Sequence, residues 1–119
     1  MANLKNIFIT GVNILFDTFE ESVHRGTYTQ VTDNGFDDIL KETEAIRCIF
    51  EKFTEEDFKS SVFSELIQPT DIKGLVPAED VTLNINTKGY CTFDAVEYTI
   101  EGYDIDPMGI IYTLLLRNT

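Results

Sequence analysis

The chain has 119 residues, 43% of them hydrophobic, with 9 basic and 21 acidic side chains and a formal charge of −12. That length allows one domain with a core of its own, and nine Phe and five Tyr argue against disorder. A surface of this charge repels phosphates, which excludes nucleic-acid binding driven by counterion release.

The acid is spread evenly, with −6 in residues 1–60 and −6 in residues 61–119, so no basic arm stands apart. No apolar run approaches the ~18 residues of a membrane span. The N-terminus lacks a charged-then-apolar signal layout, and the chain is expected to be intracellular, with no membrane partner. Cys48 and Cys91 match no metal spacing and are expected to be reduced core residues.

Residues 1–21 read as a helix that starts near Asn3, a plausible N-cap. Leu4, Ile7, Phe8, Val12, Leu15, Phe16, Phe19 and Val23 fall at spacings of three and four and form a broad apolar stripe. Such a stripe packs on the domain's own core or docks on another subunit, and both readings stay open.

Residues 22–53 hold the first strands. Val23, Arg25, Thr27, Thr29 and Val31 alternate with His24, Gly26, Tyr28 and Gln30. Asn34-Gly35 supplies a turn. Phe36 to Glu44 is polar and acidic and reads as loop or a short helical turn. Ala45 to Phe50 is strand-like and returns the chain across the first strand.

Residues 54–71 form a long inserted loop. Thr54 to Asp57 has the spacing of a capping box, with Asp in place of Glu or Gln, so a weak helix is expected there. Ser60-Ser61 and Gln68-Pro69 break any longer pattern. Loops of this length in a small domain are often functional.

Residues 72–117 are β-rich. Ile72 to Val76 is a short strand stopped by Pro77. Val81, Leu83 and Ile85 alternate with Thr82, Asn84 and Asn86 and predict another. Lys88-Gly89 turns into Tyr90–Phe93, and Asp94-Ala95 turns into a strand from Val96. Asp106-Pro107-Met108-Gly109 is a four-residue turn before a last strand from Ile110. The fold class is mainly β with an N-terminal α-helix: a single domain built as a small antiparallel barrel or sandwich of five to seven strands.

Little chemistry shows. His24 has no neighbouring nucleophile or second His, and no catalytic residue, cofactor site or metal site is expected. Asp104 and Asp106 open like a calcium loop but lack the bidentate Glu, so they read as turn residues. Gly11, Gly26 and Gly35 form no phosphate-binding run. The chain is not expected to be an enzyme.

The layout Asp71-Ile72-Lys73-Gly74-Leu75-Val76-Pro77-Ala78, then Tyr90–Ile100, then Asp106-Pro107-Met108-Gly109 and Tyr112-Thr113-Leu114-Leu115-Leu116-Arg117, resembles the head–tail joining proteins of long-tailed bacteriophages. These are the connector stopper, or head-completion, proteins. The order of elements in the N-terminal half agrees with that family. Asn84 to Gly89 stands where the family has a Gly-Asp pair.

The resemblance implies a structural virion protein of the phage neck, assembled in the host cytoplasm. It implies a ring of six copies between the portal-side adaptor and the tail tube or tail-completion protein. That ring joins head to tail and helps retain packaged DNA until ejection, and the DNA passes through it without specific binding. It maps a channel or gate loop onto Thr54, Glu55, Glu56, Asp57, Phe58, Val62, Phe63, Leu66 and Ile67. Tail or partner contacts are expected at Asp33, Asp37, Asp38 and Glu42. They are also expected at Ile110, Tyr112 and Leu114, through an edge offered by the last strand. The alternatives are a tail-completion or terminator ring protein, and an acidic DNA mimic that occupies the basic groove of a nucleic-acid enzyme.

Overall fold

The computed structural model describes residues 4–18, 20–33, 39–60 and 63–118. The cap expected at Asn3, Phe19 of the apolar stripe, the Asn34-Gly35 turn, Asp37, Asp38 and Val62 lie outside the described residues.

Helix α1 (Leu4–Thr18) leads through a 3₁₀ turn into strands β1 (Val23–Asp33) and β2 (Ile39–Lys52). A short helix α2 (Glu55–Ser60) precedes β3 (Ile72–Pro77), and a second 3₁₀ turn, Ala78–Asp80, follows it. Strands β4 (Tyr90–Phe93), β5 (Val96–Ile105) and β6 (Ile111–Asn118) complete the chain. The six strands close into an antiparallel barrel in the order β1-β2-β3-β6-β5-β4. The protein is therefore a mainly β chain with an N-terminal helix and a small closed barrel.

Alternation along each strand fills the interior. Tyr28, Ile46, Cys48, Val76, Cys91, Phe93, Ile100, Leu114 and Leu116 point inward and are buried. On β1 the inward residue next to Tyr28 is Gly26. A side chain there would put Cβ 2.0 Å from the Thr92 carbonyl oxygen and 2.5 Å from the Phe93 ring, so only glycine lets β1 and β4 meet. The β4–β5 hairpin turns on Asp94 (φ 52°) and Ala95 (φ 65°). Two successive positive φ values give the turn whose twist matches the flanking strands.

Three expectations need correction. Residues 39–44 are not loop or helical turn but the start of β2, with Lys41, Glu42, Thr43 and Glu44 opposite Val31, Gln30, Thr29 and Tyr28. The hairpin runs past the barrel there, so both faces tolerate polar side chains and no apolar period marks the strand.

Val81–Ile85 belongs to no strand: Val81 is extended, but the chain bends at Leu83. Val81, Leu83 and Ile85 do pack on the core. The backbone bonds to side chains instead of to a neighbouring strand: the Thr82 and Leu83 N–H groups donate to the Glu44 carboxylate at 3.0 Å each. The Tyr28 hydroxyl donates to the Asn84 carbonyl at 2.7 Å and accepts from the Asn86 N–H at 3.2 Å. Val81, Leu83 and Ile85 thus alternate into the core with the exposed Thr82 and Asn84 although no ladder pairs them.

The last strand offers no edge. β6 lies between β3 and β5, paired with both, and Leu114 is fully buried in the core. Barrel closure removes the partner role expected for Ile110, Tyr112 and Leu114 as an open strand.

Two substitutions test these assignments. Ala95→Gly should stabilise the protein by about 1 kcal/mol in urea unfolding, because glycine carries no Cβ penalty at positive φ. Tyr28→Phe should cost about 1–2 kcal/mol by leaving the Asn84 carbonyl and Asn86 N–H without their partner.

Candidate functional site

The polar side chains held in fixed geometry bind this chain's own backbone and elements. Asp106 accepts from the N–H groups of Met108 (3.0 Å), Ile110 (2.7 Å) and Ile111 (2.8 Å) and so closes the β5–β6 turn. Burial alone would raise its pKa, but these three donors outweigh it and hold the carboxyl below its ordinary value. His24 bonds Asp94 at 3.0 Å and stacks on Phe50 at 4.0 Å. Cys48 and Cys91 are buried free thiols. Burial pushes Cys91 up to about 12 and Cys48 higher, so both stay protonated. Among the described residues, no group of three or more His, Cys, Asp or Glu is placed to hold a metal ion.

Of the segment expected to be a loop, residues 54–60 and 63–71 form a strap on the outer wall of the barrel. Its capping box forms: the Thr54 N–H donates to Asp57 at 2.8 Å and the Asp57 N–H donates to the Thr54 hydroxyl at 3.3 Å. Asp57 also reaches Lys73 on β3 at 2.9 Å. The Thr54 N–H is the main cause that holds the Asp57 carboxyl low, with Lys73 next. Glu55 and Glu56 are exposed in the first turn of α2.

Leu115 explains what the strap covers. Its neighbours Leu114 and Leu116 point inward, so Leu115 points outward, yet it is fully buried. Its cross-strand partner Gly102 shares that outer face. Phe63 lies there, and a Cβ added to Gly102 would meet its ring at 3.0 Å. Phe63 also packs edge-on against Phe53, 6.5 Å between centroids.

The strap's far end is pinned by Asp71, whose carboxylate accepts from Arg117 Nε and Nη2 at 2.9 Å each and from the Gln68 N–H at 2.8 Å. Arg117 donates further to the Leu66 carbonyl at 3.1 Å. Burial of Asp71 would raise its pKa, but Arg117 and Gln68 outweigh it and hold the carboxyl low.

Of the residues mapped to the gate loop, Phe63 is thus anchored on this chain's own wall and Asp57 on β3. Ile67 is half-buried. Phe58 (41%) and Leu66 (51%) are exposed. Phe58 borders a hollow of about 430 Å³ shared with Phe53, Pro69 and Ile72. Asp33 ends β1 opposite Ile39, and Glu42 is exposed on the hairpin that overshoots the barrel.

Among the described residues, α1 carries four of the exposed large apolar side chains. At 100° per residue, Ile9, Val12, Asn13 and Phe16 share one face, and Ile7, Phe8, Ile14 and Leu15 the opposite one. The first face meets the barrel. Phe16 is buried at 2% exposure, with the Arg47 guanidinium 5.4 Å from its ring centre. Arg47 donates to Asn13 at 2.9 Å and grips Asp80 through Nε (3.0 Å) and Nη2 (2.9 Å). One arginine on β2 therefore ties together the helix, the strand and the turn after β3.

On the second face Ile7 (57%), Phe8 (44%), Ile14 (60%) and Leu15 (42%) stand exposed. Leu15 also borders a groove of about 330 Å³ with Ile49, Phe50 and Leu75. A single-stripe reading of the sequence passes over Ile9 and Ile14. Those two residues carried the signal, because they make the helix apolar on both sides.

No family model matches the chain, and no curated protein matches it.

The clamp at Asp71 has a pH signature. A carboxyl whose pKa is lower folded than unfolded adds stability above the unfolded value and loses it as pH falls through the folded one. Asp71→Asn should cost roughly 2–3 kcal/mol at pH 7, by taking the charge from the carboxylate that Arg117 grips with two bonds and leaving Arg117 the longer ion-pair contact to Glu101 at 3.4 Å. The gap to wild type in urea unfolding should narrow below about pH 4, where Asp71 of the unfolded chain takes up a proton, and close as pH falls through the lower folded value.

Proposed function

We propose that this chain is a non-catalytic assembly subunit, one copy of a ring in the neck of a long-tailed phage that joins head to tail and helps retain packaged DNA. The observation that carries the reading is α1. The apolar side chains of α1 reach well over half-way round the helix, with Asn6, Thr10, Asn13 and Asp17 closing the rest, and an arc that wide is normally buried against more than one surface. Here the barrel covers only the face that holds Phe16, and Ile7, Phe8, Ile14 and Leu15 are left for another surface.

Two further features support the same reading. Carboxylates set in fixed geometry act as clamps on the fold, as at Asp71, Asp80 and Asp106. The net charge of −12 suits a conduit wall, since it does not trap a polyanion that must slide past. In that ring the strap from Thr54 to Gln68 is the candidate for the channel side, with Phe58 and Leu66 available to neighbouring subunits or to the adaptor. The hairpin around Glu42 is the candidate for the tail side. The DNA-mimic alternative gains nothing from an exposed apolar helix, which basic grooves do not bind.

Electron microscopy of a phage lysate in which the gene is disrupted tests the proposal. The expected result is separate finished tails and heads that have lost their DNA. Intact tailed particles would overturn it.

A further inference from the structure

We propose that the free protein, before any assembly, is a dimer in which α1 of one copy lies antiparallel across α1 of a second, with the two-fold axis at Gly11. This concerns the free subunit and does not depend on the neck reading.

The exposed face is symmetric about Gly11. Phe8 and Ile14 lie three residues to either side of it, and Ile7 and Leu15 lie four. An antiparallel two-fold at residue 11 sets residue 7 of one copy level with residue 15 of the other, and residue 8 level with residue 14. At each level the two side chains fall on opposite sides of the contact line, so they interleave instead of colliding. The face is complementary to itself, which is what a two-fold interface requires.

Among the described residues, nothing packs closely enough on Gly11 to require glycine there. A Cβ there would meet nothing within 4 Å, and glycine inside a helix costs about 1 kcal/mol relative to alanine. At the crossing point of two helices the missing side chain lets the backbones approach.

Charge singles out the same face. Two copies at −12 repel, so they meet where charge is absent. Helix α1 carries one Lys and one Asp, and the four exposed apolar residues separate its ends without a charge between them on that face. Taking roughly 200 Å² for each large side chain, the exposed fractions of Ile7, Phe8, Ile14 and Leu15 give about 400 Å² per copy and ~800 Å² per pair. Gly11, Thr18 and the groove beside Leu15 extend the contact toward the ~1,200 Å² at which specific interfaces begin.

Sedimentation of the full chain across a concentration series, at low and high salt, tests this. A monomer–dimer equilibrium that tightens with salt is expected, because salt screens the repulsion and leaves the apolar contact intact. Ile14→Asp, at a site already 60% exposed, should weaken the dimer at least tenfold, while thermal unfolding at concentrations where both proteins are monomeric stays unchanged.

Cysteine pairing fixes the geometry, since the native thiols are buried. Gly11→Cys should oxidise to a covalent dimer. Ile7→Cys should do so only when mixed with Leu15→Cys. A monomer at all concentrations, association weakened by salt as for a basic partner, or Ile7→Cys that links to itself would each overturn the proposal.

Discussion

Barrel closure is the constraint on which the rest of the structure depends. A closed sheet has no edge, so each strand must find two neighbours, yet β2 has fourteen residues and β4 has four. The shared ladder is short. β4 pairs with only four residues of β1 and four of β5, and β3 with only the last four of β2. What exceeds that common length must be covered by other parts of the chain or left to project. The segment after Asp80 covers one end with Val81, Leu83 and Ile85, and the strap covers the outer wall over Leu115. The β1–β2 hairpin is the part that projects.

These coverings are held by side chains acting where strands would have supplied backbone bonds. Glu44 takes two N–H groups of the segment after β3, Tyr28 bridges Asn84 and Asn86, and Asp71 and Arg117 fasten the strap. Charge-assisted bonds of this kind are the stronger ones, and partial burial keeps them from being screened. An acidic composition therefore has two roles in this molecule. Some carboxylates replace a missing ladder, and the exposed remainder gives the surface its repulsive charge.

Helix α1 stands outside that economy. It is joined to the barrel through Phe16 and the Arg47–Asn13–Asp80 cluster, and its other side brings uncharged apolar surface to a strongly acidic molecule. Repulsion over the rest of the surface and attraction at one face together restrict how another molecule can meet this one.

The fold class and most boundaries were legible in the residues. Alternation marks β1, β4 and β5, Pro77 stops β3, and the Thr54–Asp57 box caps α2, because these features are set by local backbone geometry. The start of β2 was not legible, since a ribbon wet on both faces carries no apolar period. The segment Val81–Ile85 misled for the opposite reason: its side chains alternate into the core while no strand pairs its backbone. Only the tertiary structure decided that β6 is interior and that Leu115 is covered by the strap. Sequence order holds the pattern of each element, but which neighbour a strand finds is fixed by closure over residues far apart in the chain. The two-sided helix shows the division most clearly. Its residues showed a broad apolar stripe, and the barrel alone determined which part of it Phe16 would bury and which part would be left exposed.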